Sequence, residues 1–358
     1  MPFYYQIKKT KEGKRTAEKL LALREQFDKE VPKRTINNTL LLATWNIREF
    51  DSPAYGERID ESLYYIAEII SHFDLVAVQE VRKDLKALKK VNNILGSYWK
   101  YIVTDVTAGT AGNKERLAFL YDSRKINFGG LAGEIVIDPV KKGKKRYEPA
   151  KQLARTPFIC GFQVGWFKFM LSTVHILYGK STANDPDRVK EIEELAKFFS
   201  KRAKDKTAWA ENLILLGDFN IFKPSDITFK VLTDNKFIIP DEIQKLSSNA
   251  SRNKHYDQIA FMLNKKHLGL QRAGVFDFFK TVFREEDIKT YIFEMGEAYN
   301  KKSSGEKRNE KSKKSYYKTY WRTHQMSDHL LMWVELKIDF GRKYLERKKK
   351  GKAGDVLS

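Results

Sequence analysis

The chain has 358 residues, of which 42% are hydrophobic and 32% charged, and a formal net charge of +21. No apolar run approaches the ~20 residues needed to cross a bilayer, and a single cysteine, Cys160, excludes an intrachain disulfide. The first nine residues have no apolar signal core, so the expected compartment is the cytoplasm.

In chain order, helical spacing appears first at 17–27, where Leu20, Leu21, Leu23 and Phe27 form a stripe expected to pack on the outside of the domain. A strand is predicted at 40–46, a helix at 57–73, a strand at 74–79 and a basic amphipathic helix at 82–95. Strand candidates without obvious helices follow at 98–104, 116–121, 134–138, 157–164 and 167–175. A clear helix spans 187–202, a strand 212–217, and further strands 256–262 and 330–337. This order is no regular strand–helix alternation, so a simple doubly wound sheet fits poorly. The predicted class is α/β (α+β): a four-layer sandwich of two mostly antiparallel sheets packed face to face, with helices on both outer faces.

The length would allow two domains, but no Pro/Gly/Ser-rich linker divides the chain. The expected organisation is a helical extension at 1–38, one large domain at 39–340 and a basic tail at 341–358. The stretch 294–320 is Lys/Ser/Glu/Asn-rich and is expected to be a mobile loop.

The positive charge is uneven. Lys141 to Lys151 carries +5, Lys301 to Arg322 carries +7 and Arg342 to Lys352 carries +6, leaving +3 for the rest. Such segments suit a polyanionic partner and equally describe solvated charge runs.

Short polar residues stand where apolar runs end. Leu40 to Trp45 runs into Asn46, Leu75 to Gln79 into Glu80, and Leu213 to Gly217 into Asp218-Phe219-Asn220. Asp328-His329 is followed at once by Leu330 to Val334. Strands that end at one sheet edge can gather such side chains from distant positions. Hard oxygen ligands beside a titratable base suit Mg²⁺-assisted attack on a phosphate. Each residue also has a plainer reading: Glu80 as a helix cap, Asn46 in a strand-exit turn, Asp218 and Asn220 as an Asx-turn. Among the other histidines, His72, His255 and His267 read as surface residues, and His324 lies close to the late motif.

Thr44-Trp45-Asn46-Ile47, Val78-Gln79-Glu80-Val81, Gly217-Asp218-Phe219-Asn220 and Ser327-Asp328-His329-Leu330, in that order, resemble the signature of the endonuclease/exonuclease/phosphatase superfamily, the fold of deoxyribonuclease I. The resemblance covers about residues 40 to 338. Smaller matches are similar to the deoxyribonuclease I branch: Glu115-Arg116 in a strand, Arg155-Thr156-Pro157, Thr173-Val174-His175 and Tyr256-Asp257-Gln258-Ile259. The resemblance implies two histidine–carboxylate pairs. His329 with Asp257 would draw a proton from water, and His175 with Glu115 would protonate the leaving oxygen. It further implies metal ligation by Asn46, Glu80 and Asp328, with Asp218 and Asn220 holding the water or a phosphoryl oxygen. Arg116 and Arg155 would contact phosphates on either side of the scissile bond, or serve as structural ion-pair partners.

The expected activity is Mg²⁺-dependent (or Mn²⁺-dependent) hydrolysis of phosphodiesters, with DNA the first candidate substrate and partner. Another esterase of the same fold is the alternative: an inositol-phosphate phosphatase, a sphingomyelinase-like or an RNA-degrading enzyme. A binding module that has lost catalysis ranks last, because every matched position carries a competent residue. Strandedness and oligomeric state are not legible.

Overall fold

The computed structural model describes residues 2–50, 56–107, 113–143, 146–205, 207–263 and 269–350. Among the described residues thirteen strands are formed: β1 Thr39–Phe50, β2 Leu75–Arg82, β3 Trp99–Val103, β4 Glu115–Asp122, β5 Asn127–Glu134, β6 Val140–Lys142, β7 Arg146–Glu148, β8 Phe158–Val164, β9 Phe167–His175, β10 Leu213–Asp218, β11 Asp257–Met262, β12 Leu270–Phe276 and β13 Leu331–Lys337. The longer helices before β10 are α1 Lys11–Glu30, α2 Asp60–Ser71, α3 Lys86–Leu95 and α4 Pro186–Arg202. No helix among the described residues is long and apolar enough to cross a membrane.

One sheet has the order β12-β13-β1-β2-β4-β3 and the other β11-β10-β9-β8-β5. Each is antiparallel except for one pair, β1 with β2 in the first and β9 with β10 in the second. A parallel pair ends both strands at the same edge. The two pairs therefore present Asn46 beside Gln79 and His175 beside Asp218. Between the sheets, Gln79 Nε2 donates to Thr173 Oγ1 at 2.8 Å, tying β2 to β9 just behind these ends.

The period-2 alternation of β1 divides the core. Leu40 and Leu42 join Leu75, Ala77, Phe119, Phe162, Phe169 and Leu215 between the sheets. Leu41, Ala43, Trp45 and Ile47 face the helical layer with Ile66, Ile70, Leu88 and Val91 of α2 and α3. Helix α4 adds Ile192, Leu195, Ala196 and Phe199 on the other side, completing four layers. Helix α1 contributes buried Leu20, Leu23 and Phe27 to the helical layer. Burial of three such side chains is worth roughly 1.5–3 kcal/mol each. Three ion pairs, Arg15–Glu61, Lys19–Asp287 and Arg24–Glu68, fix its orientation on α2 and on the turn near 287.

Two expectations are corrected. The strand expected at 134–138 lies earlier, as β5. The stretch 294–320, expected to be a loop, contains helical turns at Glu297–Asn300 and Glu310–Ser315, the latter continuing through a π-helical Tyr316–Trp321 into Arg322–Gln325. Asn309 caps this helix by accepting from Ser312 N at 2.9 Å. Buried Tyr317 and Trp321 anchor it to Phe283 and Tyr291. Those two aromatics supply the burial that its polar first half lacks.

Candidate active site

Strand register alone assembles the centre. Asp218, the last residue of β10, pairs with His175 on the parallel side and with Asp257 on the antiparallel side. Gly217 lets the strands close: its φ is +134°, and an added Cβ would lie 2.2 Å from the Val174 carbonyl oxygen. Only glycine is relaxed there.

Around Asp218 the side chains form one connected network. Asn46 Nδ2 donates to Asp218 Oδ2 at 3.0 Å. The same oxygen lies 3.4 Å from His175 Nε2 and 3.7 Å from His329 Nε2. On their far sides, His175 Nδ1 donates to Glu115 Oε2 at 2.8 Å and His329 Nδ1 donates to Asp257 Oδ2 at 2.8 Å. Both Nε2 atoms thus point at one spot while both Nδ1 atoms are held by carboxylates, which fixes tautomer and ring orientation. Arg155 Nε donates to Glu115 Oε2 at 2.8 Å, closing one end. Tyr256 stacks on the His329 ring at 5.4 Å, closing the other.

Burial disfavours charge on both imidazoles. Asp257, Asp218 and Asp328 outweigh it and hold the His329 imidazolium well above its ordinary value. His175 is also raised, by Glu115 and Asp218, but burial and Arg155 oppose the rise. Burial would raise Glu115; His175 and Arg155 instead hold it down to about 2. Asp257, with no arginine, is pushed up by burial despite His329.

Glu80 closes the network on the side of the first sheet. Its backbone φ is +62°, and that of its neighbour across the β1–β2 exit, Glu49, is +50°. Glu49 N donates to Glu80 Oε2 at 2.7 Å. Such conformations cost a non-glycine residue on the order of 1–3 kcal/mol, and they cluster at functional sites. Burial first, then the charges of Glu115 and Asp328, push the Glu80 carboxyl up, against the pull of His175. Asn46 Oδ1 is buried without a hydrogen-bond partner. A carboxyl disfavoured as an anion and an unsatisfied amide oxygen are what a hard divalent cation would satisfy. The chemistry of Asn46 and Glu80 is thus compatible with such an ion, and the charge of half-buried Asp328 reaches Glu80. Asp218, Asp257 and His329 also offer donor atoms within 4.8 Å of one another. The Asp257–His329 hydrogen bond orders the same trio for moving a proton.

The remaining sequence-derived positions divide. Asn220, with φ +53°, gives its backbone N–H to Asp218 Oδ1 at 2.9 Å and its amide Nδ2 to the Ile176 carbonyl at 2.8 Å. It positions Asp218, and one of its two amide N–H groups is given to the backbone. Arg155 is buried with Nη1 unpartnered. Arg116 is not brought into the network. Strand alternation sends it to the face opposite Glu115, where its Nη1 donates to the Thr104 carbonyl at 2.7 Å.

His324 is buried rather than presented to a substrate. Its Nε2 donates to the Gly56 carbonyl at 3.0 Å, and burial with Arg58 and Arg48 pushes it down to about 3. His72 stacks on Phe27 at 3.8 Å, and His267 lies outside the described residues. Sequence reasoning gave no role to Ser327, although it directly precedes Asp328-His329. Its Oγ donates to the Asn46 carbonyl at 2.6 Å and accepts from His329 N at 3.0 Å, joining β1 to the entry of β13.

No family model matches the chain. A curated deoxyribonuclease of Thioalkalivibrio sp. is 29% identical over 188 residues, 51% of this chain and 46% of that protein. The chain thus aligns with about half the length of this relative. Among solved structures, an endonuclease/exonuclease/phosphatase family protein from Bacteroides thetaiotaomicron superposes with a TM-score of 0.54 at 17% identity, covering 84% of this chain and 98% of the other. A mannosyl-6-phosphatase of the same species gives 0.53 at 18% identity, covering 83% and 99%. At these identities the likeness establishes the fold.

Proposed function

With the fold of the endonuclease/exonuclease/phosphatase superfamily as the starting point, we propose that this chain is a divalent-metal-dependent phosphodiesterase that cleaves nucleic acid, DNA in the first instance. The observation that carries the reading is the pair of histidine–carboxylate dyads whose Nε2 atoms converge on Asp218 from opposite sides. In-line hydrolysis of a phosphodiester needs a proton acceptor on the side of water attack and a donor on the side of the departing oxygen, and two oriented imidazoles supply both. The aligned deoxyribonuclease supports nucleic acid as the substrate.

His329, in its neutral form, takes the proton from the attacking water, and Asp257 holds its ring. His175 gives a proton to the leaving oxygen, oriented by Glu115, which Arg155 in turn fixes. Proton transfer of this kind is worth ~10²–10⁴-fold. Asp218 lies between the two and holds the water, and Asn220 positions Asp218. Asn46, Glu80 and Asp328 would hold Mg²⁺, with Mn²⁺ as the substitute. When bound, the ion would neutralise charge that develops on the phosphoryl oxygens. Arg155 Nη1 is the donor left over for a phosphate oxygen.

The test is incubation of the purified chain with supercoiled plasmid, linear duplex, single-stranded DNA and RNA, in Mg²⁺ or Mn²⁺, beside a His329→Ala control. The expected outcome is metal-dependent nicking that the control lacks. Release of inorganic phosphate from small monoesters with every polynucleotide left intact would replace this reading with that of a phosphatase.

A further inference from the structure

Of the three basic segments, one is built into the rim of the site. In the helix that begins at Glu310, Tyr317 and Trp321 face the core, and Lys311, Lys314 and Lys318 are exposed. Lys311, Lys314 and Lys318 form a stripe that steps by three and four residues along one helix face, about 5–6 Å per step, and Lys307 precedes the helix in a bridge with Lys301. Lys318 is neutralised by Glu285 at 2.6 Å. Lys307, Lys311 and Lys314 make no ion pair among the described residues, whereas Lys302 and Lys313 do. No aliphatic or aromatic residue occurs in 301–315, which offers a ligand charge and hydrogen bonds but no apolar anchor.

The flank of this stripe is stiffened by a ladder of rings and cations. Arg308 lies over Tyr316 at 4.5 Å, Tyr316 stacks with Tyr320 at 5.4 Å, and Arg48 lies over Tyr320 at 5.6 Å. Arg48 Nη1 also donates to Thr323 Oγ1 at 2.6 Å. Arg48 is two residues beyond Asn46, and its backbone N–H donates to the same Ser327 hydroxyl that binds the Asn46 carbonyl. The basic face is therefore joined to the catalytic strand ends through short, directional contacts.

Among the described residues, the other basic segments show no such link. The helix Gly341–Lys349 has no buried residue and meets the rest of the chain through Tyr344 against Trp166. Trp166 precedes β9, so this contact lies at the end of the strand opposite His175, about 30 Å away at ~3.3 Å per residue. Lys141 and Lys142 belong to the separate two-stranded β6–β7 hairpin.

We propose that the helix face carrying Lys311 and Lys314, with Lys307 in the segment leading into it, tracks the phosphate backbone of the polynucleotide substrate and leads it to the site. The inference rests on the phosphodiesterase reading for its choice of polyanion. Charge complementarity and continuity with Asn46 favour a polynucleotide over a lipid surface, which would also use exposed apolar groups.

The experiment measures binding of fluorescein-labelled DNA oligonucleotides by anisotropy, in EDTA so that no turnover intervenes, across a salt series. Lys311→Glu/Lys314→Glu (the wing pair) is compared with a matched reversal on the remote helix, Arg347→Glu/Lys348→Glu (the remote pair). The wing pair should weaken binding about tenfold or more and flatten the slope of log K against log salt by about 2. The remote pair should change affinity by less than about threefold. Equal effects of the two pairs overturn the proposal. So does a preference of the wild type for phosphatidylserine-containing vesicles over DNA that the wing pair abolishes. Hydrolysis of bis(p-nitrophenyl) phosphate by the wild type is followed separately. Its absence, together with wing-dependent DNA binding, would remove the catalytic reading and leave this one standing.

Discussion

The two histidine dyads look alike in distance and differ in surroundings. Each imidazole donates from Nδ1 to a carboxylate at 2.8 Å and turns Nε2 toward Asp218. Glu115, however, is shared with Arg155, while Asp257 Oδ1 is buried without a partner. The outcome is opposite for the carboxylates: Glu115 is held down and Asp257 is pushed up. For the imidazoles it is a difference of degree, because Arg155 restrains the rise at His175 and three aspartates drive it at His329. Similar hydrogen bonds thus leave the two imidazoles in different electrostatic surroundings, with His329 the more strongly held in its protonated form.

The strongest way to break this comparison is to remove each imidazole. His329→Ala should lower plasmid nicking by ~10³-fold, since both proton acceptance and the order around Asp218 are lost. His175→Asn should lower it by ~10²–10³-fold, and the deficit should depend on the leaving group. With a p-nitrophenyl leaving group, which departs without a proton, His175→Asn should recover most of its deficit and His329→Ala should not. Equal recovery by both variants would show that the dyads do not divide the acid and base roles.

Legibility followed burial. The strands with long apolar runs, β1, β2, β9, β10 and β13, were evident, and so were the residues at their ends. The partner carboxylates Glu115 and Asp257 came from motif resemblance, since nothing in local periodicity links residue 115 to 175. Strand β5 was misplaced because Gly129, Gly130 and Gly133 hide its alternation. Gly129 is there for Trp209, whose ring would lie 2.1 Å from an added Cβ. Strand β12 was missed because only part of it is apolar: Gln271 and Arg272 are exposed. Arg116 was grouped with Glu115 by adjacency, whereas strand geometry separates neighbours onto opposite faces. The helix at 310–325 was read as loop because its first half buries nothing and its anchor, Tyr317 with Trp321, comes late.

A smaller effect sharpens the comparison by isolating the arginine-clamped dyad. Burial alone would raise Glu115, yet His175 and Arg155 hold it at about 2, below the ~4.3 of an unfolded glutamate. A carboxylate depressed on folding stabilises the native state fully above its unfolded value. It loses that contribution as pH falls toward its folded value. Glu115→Gln should therefore cost on the order of 2–3 kcal/mol near pH 7, measured by urea unfolding. The difference from wild type should shrink steadily as pH is lowered from about 5 toward 3. Arg155→Met removes the clamp while leaving His175 in place, so Glu115 should rise toward its unfolded value, and the acid-dependent loss should become smaller and be complete at a higher pH. A difference between Glu115→Gln and wild type that stays constant across this range would mean that Glu115 carries no depressed titration. The contrast between the two dyads would then rest on geometry alone.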